Sequence, residues 1–364
     1  MPGAPSRGFE VPDGHWVDIE GPVHYVEWPG PSERTIVLVH GLAGSHLNWV
    51  RVAPALSTRA RVIVVDLPGF GRSPLAGRQS AIHVGRQLLG EFIRRVASGR
   101  AVVGGHSMGG GYAMLVAAFE PELVDGLILT GSVFPWARGG WPSPLVVGGF
   151  ALYRTPFIGD AVVRERFKRL DAESVVRWGF RLTTADPSSV PPDVVDAHVD
   201  LVRERQKEAE VATAFLEAAR SILWLGARPS LSGRVMDAIR CRTFVIHGEK
   251  DRLVPIAYAR STLERHPSWT YRFLENVGHV PQLEAPREWL RAVEGWLDSA
   301  VPVRNGVQSP AAFEASDSAA SRAKARRSTS GTTSRSAVKP KAIVPPSDVQ
   351  AIDSADVGPS GIDG

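Results

Sequence analysis

Two hydrophobic rhythms alternate along the chain. Short apolar runs rich in Ile and Val, such as Thr35 to Val39 and Val62 to Val65, carry no polar interruption. Runs of this kind predict strands buried on both faces, as in a parallel sheet. Between them, Val84, Leu88, Leu89, Phe92, Ile93 and Val96 recur at helical spacing, as do Trp289, Leu290, Val293, Trp296 and Leu297. Each stripe is wide enough to pack one helix on a sheet. Near the start, Trp16 to Glu20 and Val23 to Trp28 read as an antiparallel hairpin joined at Gly21-Pro22. The alternation predicts an α/β fold with a doubly wound, mostly parallel sheet. Its functional groups then belong at the carboxyl ends of the strands.

From Gly131 to about Ser232 the strand rhythm disappears. Amphipathic helical segments such as Val211 to Leu225 replace it, interspersed with Trp136, Trp141, Trp178 and Trp224. Past Val301 the chain is dominated by Ser, Ala, Thr, Pro and Gly, a composition that cannot bury enough apolar surface to order itself. The expected organisation is a flexible N-terminus over 1–10, a core built from 11–132 and 233–300, a helical insertion over 133–232, and a disordered tail over 301–364.

The candidate chemistry centres on Gly104-Gly105-His106-Ser107-Met108-Gly109-Gly110, between the apolar run Ala101 to Val103 and a helical segment beginning near Tyr112. It contains G-x-S-x-G, and a strand feeding a helix through this pentapeptide is a nucleophile elbow. The sharp turn forces Ser107 into a sparsely allowed backbone conformation. Gly105 and Gly109 supply the room, because a Cβ two residues either side would collide across the turn. A serine nucleophile needs a base and a group to orient it. Of the ten histidines, His279 has the best context, a loop of Asn-Val-Gly-His-Val-Pro after the strand-like Thr270 to Leu274. The carboxylate is sought after Thr243 to His247, where Asp251 is the choice and Glu249 the rival.

The chain order Ser107, Asp251, His279 resembles the nucleophile, acid, histidine order of the α/β-hydrolases. Four further motifs carry the resemblance: His40-Gly41-Leu42-Ala43-Gly44-Ser45, Asp66-Leu67-Pro68-Gly69-Phe70-Gly71-Arg72-Ser73, and the loops around Asp251 and His279. Together they span roughly Val11 to Leu297. The resemblance is to the capped members of that family, among them esterases, C–C hydrolases and perhydrolases. It implies an eight-stranded sheet with a helical cap inserted after strand 6. It also implies an oxyanion hole made by the backbone N–H groups of Leu42 and Met108. The expected activity is hydrolysis of an ester or related acyl bond of a small, mostly apolar substrate, without a cofactor. Cleavage of a C–C bond in ring-cleavage products is the alternative, and a ligand sensor on the same fold is a further one. Ser107 argues against the dehalogenases and epoxide hydrolases of this fold, which place an aspartate at the elbow. Pocket candidates are His106 beside the nucleophile and Trp136 and Trp141 in the insertion.

Composition narrows the picture. The 364 residues are 43% hydrophobic and 22% charged, which suits a sizeable core. Cys241 is the single cysteine, so no intramolecular disulfide forms. No C-x-x-C or His-Glu-x-x-His spacing points to a metal. A net charge of +4 is too small to make nucleic acid the main partner, although the tail carries a basic stretch from Arg322 to Lys341. The first residues lack an apolar signal segment, so a cytoplasmic location is expected. The apolar stretch Pro144 to Tyr153 reads as part of the cap that is able to meet a membrane surface or a lipidic substrate. Among other polar residues, Asp66 reads as a strand-end turn residue, His40 as a brace for the oxyanion loop, and His247 as a satisfied core histidine. His46 and Asn48 are expected near the cap mouth.

Overall fold

A computed structural model describes residues 9–30, 34–134, 142–155, 157–206, 208 and 210–299. The strands are β1 (Gly14–Asp18), β2 (Pro22–Trp28), β3 (Thr35–Val39), β4 (Arg61–Val65), β5 (Ala101–His106), β6 (Val124–Thr130), β7 (Arg242–Gly248) and β8 (Thr270–Leu274). They form one eight-stranded sheet in the order β1-β2-β4-β3-β5-β6-β7-β8. Strand β2 runs antiparallel to both β1 and β4, and the other pairings are parallel. The doubly wound, mostly parallel sheet expected from the apolar runs is therefore present.

The first hairpin starts two residues earlier than its apolar pattern suggests. Glu20 and Gly21 both have positive φ, 52° and 122°, which no strand accommodates. The Asp18 carboxylate accepts the Gly21 N–H at 2.9 Å and closes the turn before Glu20.

Helices cover both faces. Along the N-terminal half they are α1 (Ala53–Leu56), α2 (Ile82–Val96) and α3 (Met108–Phe119). The alternation of β3 shows how the two layers are built. Val37 and Val39 join the cluster containing Leu89, Phe92 and Ile93 of α2 and Ala113 and Val116 of α3. Ile36 and Leu38 join a second cluster on the opposite face, with Trp49, Trp289 and Trp296. All five β3 side chains are buried, which is why the strand reads as an unbroken apolar run.

Between β6 and β7 lie α4 (Pro144–Arg154), α5 (Ile158–Arg169), α6 (Ala172–Thr183), α7 (Pro192–Arg205), α8 (Val211–Gly226) and α9 (Pro229–Ala238). Their starts follow ordinary capping chemistry: Ser143 caps α4 through the Val146 N–H, with Pro144 in the first turn, and Asp171 caps α6 through the Ser174 N–H. After β7 come α10 (Ile256–Arg265), α11 (Pro281–Glu284) and α12 (Pro286–Asp298). Trp289, Val293, Trp296 and Leu297 are buried on one stripe of α12, as their spacing requires.

The insertion is tied to the sheet by polar contacts that no periodicity reveals. Buried Arg205, at the end of α7, donates to the carbonyls of Gly69, Gly71 and Ser73 at 2.9, 2.8 and 3.1 Å. Ser221 of α8 accepts the Ile82 N–H at 3.0 Å, and so satisfies an amide at the start of α2, whose own cap residue Ala81 has no side-chain oxygen.

Candidate active site

Strand β5 ends at His106 and α3 begins at Met108, so Ser107 alone makes the turn between them. Its φ of 52° and ψ of −116° lie in a region that costs a non-glycine residue about 1–3 kcal/mol. The neighbours that hold it there are specific. Ser107 N–H donates to the Thr130 carbonyl at 3.0 Å, and the Ser107 carbonyl accepts from Gly110 and Val133 at 3.1 and 3.3 Å. A Cβ on Gly105 would lie 2.4 Å from the Gly109 backbone, the collision across the turn expected from the sequence. Gly109 is small for a different reason: its Cβ would lie 2.5 Å from the carbonyl oxygens of Val39 and His40 at the end of β3.

The loop after β7 and the loop after β8 meet. His279 Nδ1 lies 2.7 Å from Asp251 Oδ2, with both side chains buried. Asp251 Oδ1 accepts the N–H groups of Leu253 and Val254 at 2.9 Å each, which fixes the carboxylate from within its own loop. Burial opposes ionisation of Asp251, but the charge of His279 and hydrogen bonds from His247 and His279 outweigh it and hold the carboxyl below its usual range. Glu249 turns away to Arg260, 3.1 Å distant. Gly131, just past β6, has a φ of +50°, and a Cβ there would press on the His279 carbonyl at 2.7 Å. No side-chain pattern in the sequence marks that glycine as part of the site.

Two residues of the stretch His40 to Leu42 show how closely it passes over the elbow. A Cβ on Gly41 would stand 2.9 Å from His106 Nδ1 and 3.0 Å from Ser107 Cβ. His40 accepts the Leu67 N–H at Nε2 (3.0 Å), so its proton sits on Nδ1 and is donated to the Gly41 carbonyl at 2.7 Å. The imidazole thus links this loop to the end of β4, as a brace should, and burial lowers its pKa. Leu42 is half-buried and Met108 provides the first amide of α3, one of the four at a helix start that lack an intrahelical partner.

His106 is buried between these parts. Its Nε2–H donates to the His279 carbonyl at 2.9 Å, and the two imidazole centroids are 4.8 Å apart. Burial first, and then the charge of His279, push its pKa down to about 3. Trp136 and Trp141 lie outside the described residues.

Three polar residues sit differently from their sequence reading. His247 is wholly buried, as expected, yet its Nε2 contacts both the Val254 carbonyl (2.8 Å) and Asp251 Oδ2 (3.2 Å). It therefore touches the carboxylate that meets His279; its position four residues before Asp251 is the only signal the sequence offers. His46 and Asn48 are buried rather than set at a mouth. Asn48 accepts the Ser45 N–H at 2.8 Å in a capping box, and His46 turns inward to Asp66.

Asp66 does more than shape its turn. Its Oδ2 accepts His24 Nδ1–H, His46 Nδ1–H and Arg72 N–H at 2.8, 2.9 and 2.9 Å, and its Oδ1 accepts His46 N–H at 2.6 Å. Among the described residues, His24, His46 and Asp66 are the group whose donor atoms lie close enough, within 4.8 Å, to share a cation. A cation there would have to replace hydrogen bonds that already saturate the carboxylate, so the trio fits a structural role for Asp66 better than a metal centre.

The model of the alpha/beta hydrolase fold family matches residues 34–286. The chain belongs to the alpha/beta hydrolase fold family. Over 265 residues it is 29% identical to the pimeloyl-[acyl-carrier protein] methyl ester esterase of Aeromonas hydrophila, covering 72% of this chain and 94% of that one. It is 26% identical over 299 residues to a 2-hydroxy-6-oxononadienedioate/2-hydroxy-6-oxononatrienedioate hydrolase of Cupriavidus pinatubonensis, covering 80% and 95%. The fold also matches the crystal structure of a meta-cleavage product hydrolase from Pseudomonas fluorescens IP01. There the TM-score is 0.61 at 20% identity, covering 77% of this chain and 95% of the other. These relatives and structural neighbours are hydrolases. For an alpha/beta hydrolase, the strand ends that carry Ser107, Asp251 and His279 lie on the edge of the sheet where functional groups are expected.

Proposed function

We propose that this alpha/beta hydrolase cleaves an ester or related acyl bond of a small, mostly apolar molecule, with Ser107 as nucleophile, His279 as base and Asp251 as the group that orients it. The observation that carries the reading is the 2.7 Å contact between His279 Nδ1 and the Asp251 carboxylate, at the strand ends where the strained Ser107 turn also lies. An ionised Asp251 accepts the Nδ1–H and leaves Nε2 of His279 as the proton acceptor.

Ser107 Oγ attacks the carbonyl carbon while its proton passes to His279 Nε2. The oxygen that becomes negative is held by the amides of Leu42 and Met108, and two such donors stabilise it by several kcal/mol. The C–O bond then breaks and the alcohol leaves with the proton from His279. Water attacks the acyl-enzyme with His279 again as base, and release of the acid restores Ser107. Residues 133–232 act as a cap in this reading, and the Leu42 side chain offers an apolar contact to the acyl group.

A C–C bond hydrolase is the second reading, favoured by the similarity to the dienedioate hydrolase of Cupriavidus pinatubonensis. The two are separated by fluorophosphonate labelling with mass spectrometry, Ser107→Ala alongside, and turnover of p-nitrophenyl esters of increasing acyl length against a vinylogous 1,5-diketone. Labelling confined to Ser107 with ester turnover abolished in the variant supports the esterase. Faster cleavage of the diketone supports the second reading, and failure of the folded protein to label removes the serine mechanism.

A further inference from the structure

Helices α4 and α5 form a hairpin with a partnered inner face and an apolar outer one. On the inside, Val163 packs with Ala212 and Leu216 of α8, and the Tyr153 and Phe215 rings meet edge to face at 5.2 Å. Arg220 of α8 holds the hairpin with hydrogen bonds to the Tyr153 carbonyl (2.8 Å) and the Asp160 carboxylate (2.5 and 3.2 Å). On the outside, Phe157 is 86% exposed, Ile158 61%, Leu145 59%, Val162 44% and Val147 42%. No charged residue occurs from Pro144 to Tyr153. Five of the eight large hydrophobic residues exposed among the described residues thus lie on this one hairpin. An apolar concentration of that kind marks a surface built to be covered.

The charges select the cover. Across 144–170 there are five basic residues, Arg154, Arg164, Arg166, Lys168 and Arg169, against two acids, Asp160 and Glu165. Both acids are neutralised, Asp160 by Arg220 and Glu165 by Arg169. Apolar residues gather at α4 and the start of α5, and four of the five cations at the far end of α5, with Arg154 closing α4. Neither helix is long enough to cross a bilayer: α4 has 11 residues and α5 has 12, whereas a span takes about 20. A short, basic element with exposed apolar residues of this kind lies in an anionic membrane interface, its apolar part in the acyl boundary and its cations among the headgroups.

We infer that the α4–α5 hairpin docks this protein on an anionic phospholipid surface. The inference rests on the hydrolase reading only for what docking would serve: Ser143, the cap of α4, donates its N–H to the Arg252 carbonyl at 3.2 Å, one residue from Asp251. The docked helix therefore begins at the acid loop of the site, and the substrate class becomes an ester that partitions into the membrane.

The test is co-sedimentation of the full chain with vesicles of phosphatidylcholine alone and of phosphatidylcholine mixed with phosphatidylglycerol. Sedimentation velocity and turnover of a soluble short-chain ester are measured on the same samples. Wild type is expected to sediment with the mixed vesicles, and less so as salt is raised. The double substitution Phe157→Ser and Ile158→Ser should weaken partitioning at least about tenfold, since two exposed apolar side chains lose their burial in lipid. Arg164→Glu with Lys168→Glu should weaken it for the mixed vesicles, and both variants should keep soluble-ester turnover. Wild type left in the supernatant, or a serine variant that sediments as well as wild type, overturns the inference. So does a dimer that the serine variant dissolves without change in vesicle binding, which would make the cover a second copy. Vesicle binding as expected with no ester turnover by wild type would instead remove the ester-hydrolase reading and leave the docking surface standing.

Discussion

His247 Nε2 lies 3.2 Å from Asp251 Oδ2, the same oxygen that takes His279 Nδ1 at 2.7 Å. The Asp251 carboxylate is thus gripped by β7 as well as by its own loop. His247→Leu removes that grip and leaves the Val254 carbonyl without its 2.8 Å donor, a loss of about 1–3 kcal/mol in stability. It also removes one of the causes that depress the Asp251 pKa. A carboxyl with a depressed folded pKa contributes stability above about pH 3.8 that is lost as pH falls through the folded value. The variant should therefore unfold at a higher pH in acid titrations followed by circular dichroism. Its kcat should fall about tenfold with little change in KM, because in the proposed mechanism Asp251 acts on the substrate only through His279.

Asp251→Asn keeps the size of the side chain but loses the charge that fixes the His279 tautomer. We expect kcat lower by on the order of ten-thousandfold, with KM within a small factor of wild type. Steady-state kinetics on a p-nitrophenyl ester decide it. A variant as active as wild type would transfer the acid's role elsewhere, with Glu249 the next carboxylate to substitute.

Gly105→Ala places a methyl group 2.4 Å from the Gly109 backbone, where no flexible side chain can yield. The elbow must then open, at about 3 kcal/mol. Calorimetry should show a lower Tm, and fluorophosphonate labelling of Ser107 should slow even in the fraction that stays folded. Gly99→Ala provides a contrast, since nothing lies within 4 Å of its added Cβ and only the φ of +86° opposes it.

The pH dependence of stability should carry the signature of His106. Its folded pKa is pushed down to about 3, whereas the unfolded imidazole titrates near 6.5. Between those values the unfolded chain binds a proton that the folded chain does not. Stability from this group is therefore full above about pH 6.5 and falls by about 1.4 kcal/mol per pH unit on the way down. Urea unfolding at pH 6.5 and pH 5 should show wild type losing about 2 kcal/mol more than His106→Asn. Equal losses in the two proteins would mean that the folded imidazole titrates normally.

Much of the fold is legible in the sequence because its signals are local. After their first residues, Thr35 and Arg61, the runs at β3 and β4 are apolar throughout since helices cover both faces of the sheet, and the α12 stripe of Trp289, Val293 and Trp296 repeats because one side of a helix is buried. The turn through Ser107 needs small residues within a few positions of it, so it too leaves a local trace. The early end of β1 escaped the pattern because two consecutive residues of positive φ, Glu20 and Gly21, are set by a turn and not by periodicity.

The sequence by itself determined the strand and helix alternation, the elbow, and the order in which Ser107, Asp251 and His279 follow one another. Only the tertiary structure decided what those residues touch. It set Asp251 against His279 and turned Glu249 toward Arg260, drew His46 and His24 inward to Asp66, brought His247 to the Asp251 carboxylate, and made Gly131 a neighbour of His279. These contacts join residues far apart in the chain, or hinge on which way a loop points. Each is fixed by the geometry of packed strand ends, which no window of neighbouring residues encodes.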